Sequence, residues 1–145
     1  GNDQEEYNIA TEVTHEAPYT SSKMLVRNML NDESKEIYRG KIHIEKRATK
    51  SFAHQKSETL LLNEKAKCDA VPILEVENDD VTCMHGATIT ELDEEQIFYA
   101  KSRGLSEEEA RELIINGFIE GIINKIPERQ REEVRQQIIK KEVQC

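Results

Sequence analysis

The feature that most limits the folds open to this chain is a series of short apolar runs over residues 1–92. Each run places a few apolar residues on alternating positions, and Asn, Asp, Gly or Pro separates it from the next. The runs lie at 7–13, 23–30, 36–47, 51–55, 59–62, 72–78 and 80–89. Runs of this length favour β-strands with one buried face. The sequence therefore predicts a mainly β unit over residues 1–92.

The pairing of these strands is less constrained by the pattern. Residues 1–92 contain no Asn-Gly or Asp-Gly hairpin signal, which weakens an antiparallel meander. They also contain no helical pattern of 10–15 residues between strands, which counts against a doubly wound βαβ sheet. A coil of short stacked parallel strands and a β-sandwich remain as equal alternatives.

Residues 93–145 follow a different, helical pattern. Asp93 is a predicted cap for a helix over 94–103, and Gly104 is its predicted stop. Ser106 and Glu109 form a capping box for a second helix with one apolar stripe that ends near Pro127. A third helix, roughly 128–142, has only a thin apolar stripe at Val134 and Ile138. The sequence therefore predicts a small α-helical domain over 93–145.

Composition excludes several classes of partner. The net charge is −9, and phosphate binding needs clustered Lys and Arg, so nucleic acid is not the expected partner. No run approaches the roughly 18 apolar residues of a membrane span, and the first residues are too polar for a signal peptide. The three cysteines, Cys68, Cys83 and Cys145, form no CxxC pair, which favours a reducing cytoplasm over a disulfide framework.

The stretch DDVTCMHGAT, residues 79–88, is the strongest candidate for chemistry. On a strand Cys83 and His85 point to the same face, and thiolate and imidazole are usual ligands of iron and zinc. They supply two of four tetrahedral ligands, so either another chain would supply the rest or the site would be partly open. The alternative is a buried, apolar Cys83 beside a hydrogen-bonded turn histidine. Asp79 and Asp80 point to opposite faces and are predicted turn formers.

The remaining cysteines and histidines carry weaker signals. His15 lies in a predicted loop rich in Thr and Ser, yet no GxSxG context supports a nucleophile. Cys68 is placed in a polar connection, and neither it nor Cys145 has a neighbouring pattern that marks a reactive thiol. His43 and His54 are predicted to be structural. The chain also lacks a P-loop and a GxGxxG fingerprint.

Five motifs, in this order, resemble the C-terminal portion of the SufB/SufD family of iron–sulfur cluster assembly proteins. They are THEAPYTSSKM, YRGKIHIEKRATKSFAHQKSETLLLNEKA, PILEVENDDVTCMHGATI, LDEEQIFYAKSRGLSEEEAR and IINGFIEGIINK. The resemblance implies the terminal rungs of a right-handed parallel β-helix over 1–92, followed by the helical domain. It also implies a non-enzymatic scaffold on which a nascent cluster is built and handed on.

The resemblance further implies partners and contact residues. The β-helix would pair with a SufB/SufD-like chain or a second copy, and the helical domain would bind the SufC ATPase. CMHGAT resembles the SufD form of its motif, which implies that His85, with Cys83, contacts the transient cluster at the interface. The first candidates for ATPase contact are Phe98, Tyr99, Arg103 and Gly104.

One departure from the SufB pattern bears on sulfur chemistry. SufB members carry a cysteine just ahead of the leucine-rich run, where this chain has Lys56 and Ser57. Sulfur acceptance by this segment alone is therefore not expected. Two other classes stay open: a plain interaction module of the same fold, and a β-helix enzyme acting on polysaccharide, which would need clustered carboxylates in a groove.

Overall fold

A computed structural model describes residues 4–142 of the chain, which divides into two compact units. The first unit extends to Glu91 and the second begins at Leu92. The first is built from strands and the second from helices. The protein is therefore mainly β with a helical C-terminal part, as the sequence predicts.

Six ten-residue strands form the first unit. They are β1 (Glu6–His15), β2 (Ser21–Leu30), β3 (Lys35–Ile44), β4 (Phe52–Leu61), β5 (Lys67–Val76) and β6 (Thr82–Glu91). Odd-numbered strands make one parallel sheet in the order β1-β3-β5, and even-numbered strands make another in the order β2-β4-β6. Parallel pairing agrees with the predicted stack of parallel strands and excludes an antiparallel meander.

Side chains alternate strictly on the central strand β3. Tyr38, Ile42 and Ile44 are buried. Lys35 and Arg39, at alternate positions of the same strand, are exposed. Because the side-chain period of a strand is two, one face of β3 is the interior face of the unit. Register places Val13 of β1 and Leu74 of β5 on either side of Ile42, so like side chains stack along the interior.

Two apolar clusters fill parts of this interior. Ile42, Ile44, Ala48 and Ala53 form one, with Met24, Leu74, Val81 and Cys83 packed against it. Leu30, Leu61 and Ala66 form the other, with Cys68 against it. Buried polar side chains, described below, make up much of the remaining interior face.

Three sequence expectations about local structure are wrong. The runs 51–55 and 59–62 belong to one strand, β4, because Lys56 and Glu58 face outward while Ser57 between them is buried. Cys68 lies within β5 rather than in a polar connection. His15 is the last residue of β1 rather than part of a loop, and its side chain is buried. A strand whose interior face carries polar and small residues lacks the apolar alternation by which a strand is recognised in a sequence.

Three helices form the second unit: α1 (Glu94–Ser102), α2 (Glu107–Ile123) and α3 (Glu128–Glu142). The Asp93 carboxylate accepts from the Glu95 amide at 2.9 Å and caps α1. A reciprocal capping box begins α2: the Glu109 amide donates to Ser106 Oγ at 3.2 Å, and the Ser106 amide donates to Glu109 Oε2 at 2.7 Å. These caps confirm the predicted starts of α1 and α2.

The predicted stop of α1 is also found, because Gly104 has a φ of +100°, which a residue with a Cβ rarely adopts. Among residues 4–142, no helix combines the length and the apolar character needed to cross a membrane.

Candidate functional site

The two residues singled out by sequence lie on β6, whose neighbour in the sheet is β4. Register pairs Cys83 with Ala53 and His85 with Gln55. Ala53 and Gln55 are both buried, so they mark the inward face of the sheet. Cys83 and His85 therefore share the inward face of β6, as two residues separated by one should.

Cys83 is half-buried against the apolar cluster around Ile42 and Ala53. This burial raises the pKa of the Cys83 thiol above its ordinary value. The thiol is therefore protonated at neutral pH, and metal binding would have to release its proton. In this structure Cys83 acts as a small apolar side chain, the simpler of the two interpretations that its sequence allows.

The His85 side chain, unlike that of Cys83, is exposed to solvent. The alternative of a turn histidine is wrong, since residues 82–91 form a continuous strand. Its imidazole makes no hydrogen bond or ion pair with any other described residue. An exposed imidazole of this kind is accessible to a metal ion.

The acids of the same stretch form the turn before β6, as predicted. The Asp80 amide donates to Asn78 Oδ1 at 2.8 Å, and the Asp80 carbonyl accepts from the Lys50 amide at 2.6 Å. Asn78 in turn donates to the Lys46 carbonyl at 2.6 Å. The hydrogen bonds of this segment tie one turn to the next, and no paired-carboxylate site results.

Within the described part of the chain, no group of three or more His, Cys, Asp and Glu side chains is placed to hold a metal ion. Cys83 and His85 thus stand as two candidate ligands on one strand face. A four-coordinate site that used them would take its remaining ligands from outside the described residues.

A polar zone of the interior, which the sequence analysis missed, lies between the two apolar clusters. Glu36 is only 3% exposed, and burial raises the pKa of its carboxyl. Its in-register neighbour on β5 is Cys68, whose Sγ lies 3.4 Å from Thr59 Oγ1 across the interior. Burial is the main cause that raises the pKa of the Cys68 thiol, and Glu36 and Asp69 add to it. This thiol is therefore protonated and poorly nucleophilic.

Gln55 is the largest polar group in this zone. It is fully buried, and neither Nε2 nor Oε1 of its amide has a hydrogen-bond partner among the described residues. Its amide lies against Gly40 of β3, where an added Cβ would come within 1.8 Å of Nε2. Gln55 could have been found from sequence only through the β4–β6 register, which no local pattern reveals.

The structure also brings His15 to two hydroxyls. Its Nδ1 lies 2.6 Å from Thr20 Oγ1, and its Nε2 lies 2.8 Å from Ser22 Oγ. Thr20 Oγ1 is in turn 2.8 Å from Ser51 Oγ, which links two successive turns. Since His15 is 3% exposed and both ring nitrogens are satisfied by hydroxyls, the arrangement fits a structural histidine rather than a nucleophile and base.

The residues predicted to contact an ATPase divide between two faces of α1. Phe98 is 75% exposed and Tyr99 is 60% exposed, but adjacent residues on a helix point about 100° apart. The Arg103 guanidinium lies 5.1 Å from the Tyr99 ring centre and donates to its hydroxyl at 2.8 Å. Tyr99 and Arg103 are therefore one unit held by cation–π and hydrogen-bond contacts, whereas Phe98 projects separately.

A groove of about 560 Å³ runs beside Tyr99 between α1 and α2. Its walls are Asp93, Glu95, Gln96, Tyr99, Ala100, Leu113, Ile114 and Gly117. Leu113 is a large exposed apolar side chain in this wall, and a Cβ added at Gly117 would meet no atom within 4 Å. The groove joins apolar walls to an acidic rim, a composition suited to a bulky apolar side chain with a cation nearby.

Comparison of the sequence with known proteins identifies a family. A sequence profile described as the SufBD core domain of the SUF system for FeS cluster assembly matches residues 1–118. Three relatives, each named an iron-sulfur cluster assembly SufBD family protein, come from Staphylococcus saprophyticus, Staphylococcus haemolyticus and Staphylococcus aureus. Each is 39% identical over 113 residues, which is 78% of this chain.

The same alignments cover 24% of each relative, so the chain spans about a quarter of the length of the curated relatives it matches. The profile covers both the β unit, with Cys83 and His85, and the helices α1 and most of α2. The chain therefore belongs to the SufB/SufD family.

Proposed function

We propose that this chain is a non-enzymatic component of the scaffold on which the Suf system assembles and transfers iron–sulfur clusters. Family membership is the observation that carries the proposal. The free thiols of Cys68 and Cys83 suit a reducing compartment, and we infer a cytoplasmic location.

We infer that the β unit forms the terminal rungs of a right-handed parallel β-helix. Consecutive strands alternate between two parallel sheets, so each coil would contribute one strand to each. The strands of the first sheet begin at residues 6, 35 and 67, and short turns tied by hydrogen bonds connect them to the second. Right-handed connections are the strong rule for parallel strands in one sheet.

The cluster would be cargo at an interface with a SufB/SufD-like chain or a second copy. The inward face of β6 offers His85 exposed and Cys83 beside it, which is too few ligands for a closed site. Ligands shared between two chains would allow release when the interface moves. His85 would bind first, because the Cys83 thiol must lose a proton from a partly apolar setting.

The helical unit would dock the SufC ATPase. Aromatic and Arg side chains dominate interface anchors, and α1 presents Phe98 and Tyr99 on its surface, followed directly by Arg103 at its C-cap. Gly104 would let the chain turn directly after these anchors. The Tyr99–Arg103 pair loses less freedom on binding, since its two side chains already hold each other.

Anaerobic reconstitution with iron and sulfide, in the presence of the partner chain and ATPase, tests the cluster role. We expect His85→Ala to reduce the cluster formed by about tenfold or more, as loss of a ligand does, and Cys83→Ala to reduce it less. His54→Ala is the matched control, because His54 lies on the outward-facing side of β4, in register with Met84.

The outcome separates the proposal from a second candidate function. Cluster formation that is unchanged in both His85→Ala and Cys83→Ala would favour a plain interaction module with no ligands on β6. The burial of Cys83 among apolar side chains is the observation in favour of that module.

Capture of the ATPase by the Arg103→Ala variant, compared with capture by the exposed control Arg129→Ala, tests docking. Equal capture by the two variants would contradict the assigned surface.

A further inference from the structure

Four side chains in the interior of the β unit carry polar atoms that no described residue satisfies. The atoms are Asn28 Nδ2, Glu36 Oε1, Gln55 Nε2, Gln55 Oε1 and Ser57 Oγ. Each is nearly inaccessible to solvent, and buried polar atoms of native proteins have hydrogen-bond partners with few exceptions. The group therefore calls for a partner other than the side chains of this part of the protein.

Strand register brings three of these side chains together on one sheet. Gln55 and Ser57 are two residues apart on β4 and share its inward face. Thr59 continues that face, and its in-register neighbour on β2 is Asn28. The unsatisfied atoms of β2 and β4 thus lie along one continuous strip of the interior.

Glu36 joins this strip from the other sheet. Its in-register neighbour on β5 is Cys68, whose Sγ lies 3.4 Å from Thr59 Oγ1 across the interior. All five unsatisfied atoms therefore belong to the polar zone between the two apolar clusters, rather than to separate faults in packing.

The side chains next to the strip do not satisfy it. The in-register neighbours of Ser57 are Val26 and Ala87, which carry no polar side-chain atom, and Ala87 contributes only a methyl group to the inward face. The Gln55 amide makes no hydrogen bond with its own in-register neighbours. The amide also lies against Gly40, where a Cβ would come within 1.8 Å of Nε2, so it has little freedom to turn toward β3.

The chemistry of the five atoms selects the kind of partner. Amide nitrogens donate, the amide oxygen accepts, and a serine hydroxyl does either, so the partner must both donate and accept. A metal ion does not fit, because amide N–H groups repel it and no group of three His, Cys, Asp or Glu side chains among residues 4–142 is placed to hold one. Water fits, since a buried water makes about three hydrogen bonds to such groups.

We propose that the polar zone binds a short chain of ordered water molecules that bridge Gln55 and Ser57 on one sheet to Glu36 on the other. Globular proteins hold about one buried water per 27 residues, which gives about three for a unit that ends at Glu91. These waters join the two sheets where apolar contact is lacking. They are present whether or not the chain contributes to cluster assembly.

Oxygen-17 relaxation dispersion, recorded on the full chain in ¹⁷O-enriched water, counts the water molecules that the protein holds for longer than its tumbling time. We expect about three long-lived waters in the native chain. Ser57→Ala should lower that count by about one, because it removes a hydroxyl that bonds the chain of waters. Ser21→Ala, at an exposed position of β2, is the matched control and should leave the count unchanged.

Gln55→Met gives a second measurement whose sign depends on the state of the amide. An amide bonded to water loses those bonds in the variant, so the denaturant midpoint falls. An unpaired buried amide is instead a cost that the variant removes, so the midpoint rises. We expect the midpoint to fall, whereas Gln96→Met, at an exposed position of α1, should shift it little.

Three results would overturn the proposal: no long-lived water in the native chain, an unchanged count in Ser57→Ala, or a raised midpoint in Gln55→Met. The native chain and Ser57→Ala, which loses one hydroxyl oxygen, decide the question if Gln55→Met does not fold.

Discussion

The two units of this protein are specified by contacts of very different range. The helical unit begins its helices with caps in which donor and acceptor are three residues apart or fewer, such as Ser106 and Glu109. The β unit depends on contacts such as the one between Thr11 and Tyr38, which are 27 positions apart. Which residues contact each other in the β unit is therefore set by the register between strands. At the starts of α1 and α2 it is set by residues close together in sequence.

The units also differ in what they bury. The interior face of β3 and β4 combines Ile42 and Ala53 with Glu36, Gln55 and Thr59, all nearly inaccessible to solvent. In α1 and α2 the buried side chains are Ile97, Ala110, Ile119 and Ile123, all of them apolar. The cost of removing a polar group differs from one position to the next: Thr59 is paired with Cys68, whereas Glu36 Oε1 and the Gln55 amide have no hydrogen-bond partner among the described residues.

The largest expected effect tests the two faces of β3. Ile42→Ala should lower the free energy of unfolding by about 2–5 kcal/mol, because it opens a cavity in the apolar cluster at a fully buried position. Ile37→Ala, on the other face of the same strand and 36% exposed, should cost far less, about 0.5 kcal/mol. Denaturant unfolding measures both, and equal losses would contradict the assigned interior face.

The next effect compares two glycines. Gly40→Ala should cost about 1–3 kcal/mol, since the new Cβ would lie 1.8 Å from Gln55 Nε2 and 2.7 Å from the Tyr38 hydroxyl. Gly86→Ala meets nothing within 4 Å and should change stability by about 0.5 kcal/mol or less. If thermal and denaturant unfolding show the two variants to be alike, the close packing of Gln55 on Gly40 is not present.

A pH series distinguishes buried from exposed carboxyls in the β unit. Burial raises the pKa of Glu36 in the folded state above its ordinary value of 4.5. Between these two pKa values the folded chain therefore holds a proton that the unfolded chain has lost. The contribution of Glu36 is fully present below the ordinary value and is lost as pH rises through the folded-state pKa, at no more than about 1.4 kcal/mol per pH unit. Glu36→Gln should therefore gain stability relative to the native chain toward neutral pH.

The exposed Glu33 provides a control of opposite sign. Its hydrogen bond to Lys65 is the main cause that lowers the pKa of its carboxyl. Its contribution is present above the ordinary pKa and is lost as pH falls, so Glu33→Gln should lose a little stability at neutral pH only. Unfolding curves between pH 4 and 8 that shift in the same direction for both variants would contradict the assigned environments.

These contrasts explain which parts of the structure can be predicted from sequence. The caps at Asp93 and Ser106 and the stop at Gly104 are local, so their residues identify them directly. Cys68 and Ser57 were not recognised as strand residues, because a polar interior removes the apolar alternation that marks a strand. The pairing of Gln55 with His85 depends on a register between two strands thirty positions apart, which no single run contains.

The smallest effect tests the claim that the helical unit is specified locally. Ser106→Ala should lower stability by about 0.5–2 kcal/mol, because the Glu109 amide loses its acceptor at the start of α2. Ser102→Ala is the matched control: Ser102 Oγ donates to the Tyr99 carbonyl at 2.7 Å within α1, a bond that competes with the helix rather than capping it. Its loss should be neutral or slightly stabilising. Thermal melts followed by circular dichroism at 222 nm report both variants. Because the cap is local, the β-unit variant Ile42→Ala and the helical-unit variant Ser106→Ala should have additive effects when combined. A strong departure from additivity would show that the start of α2 is held by contacts beyond its capping box.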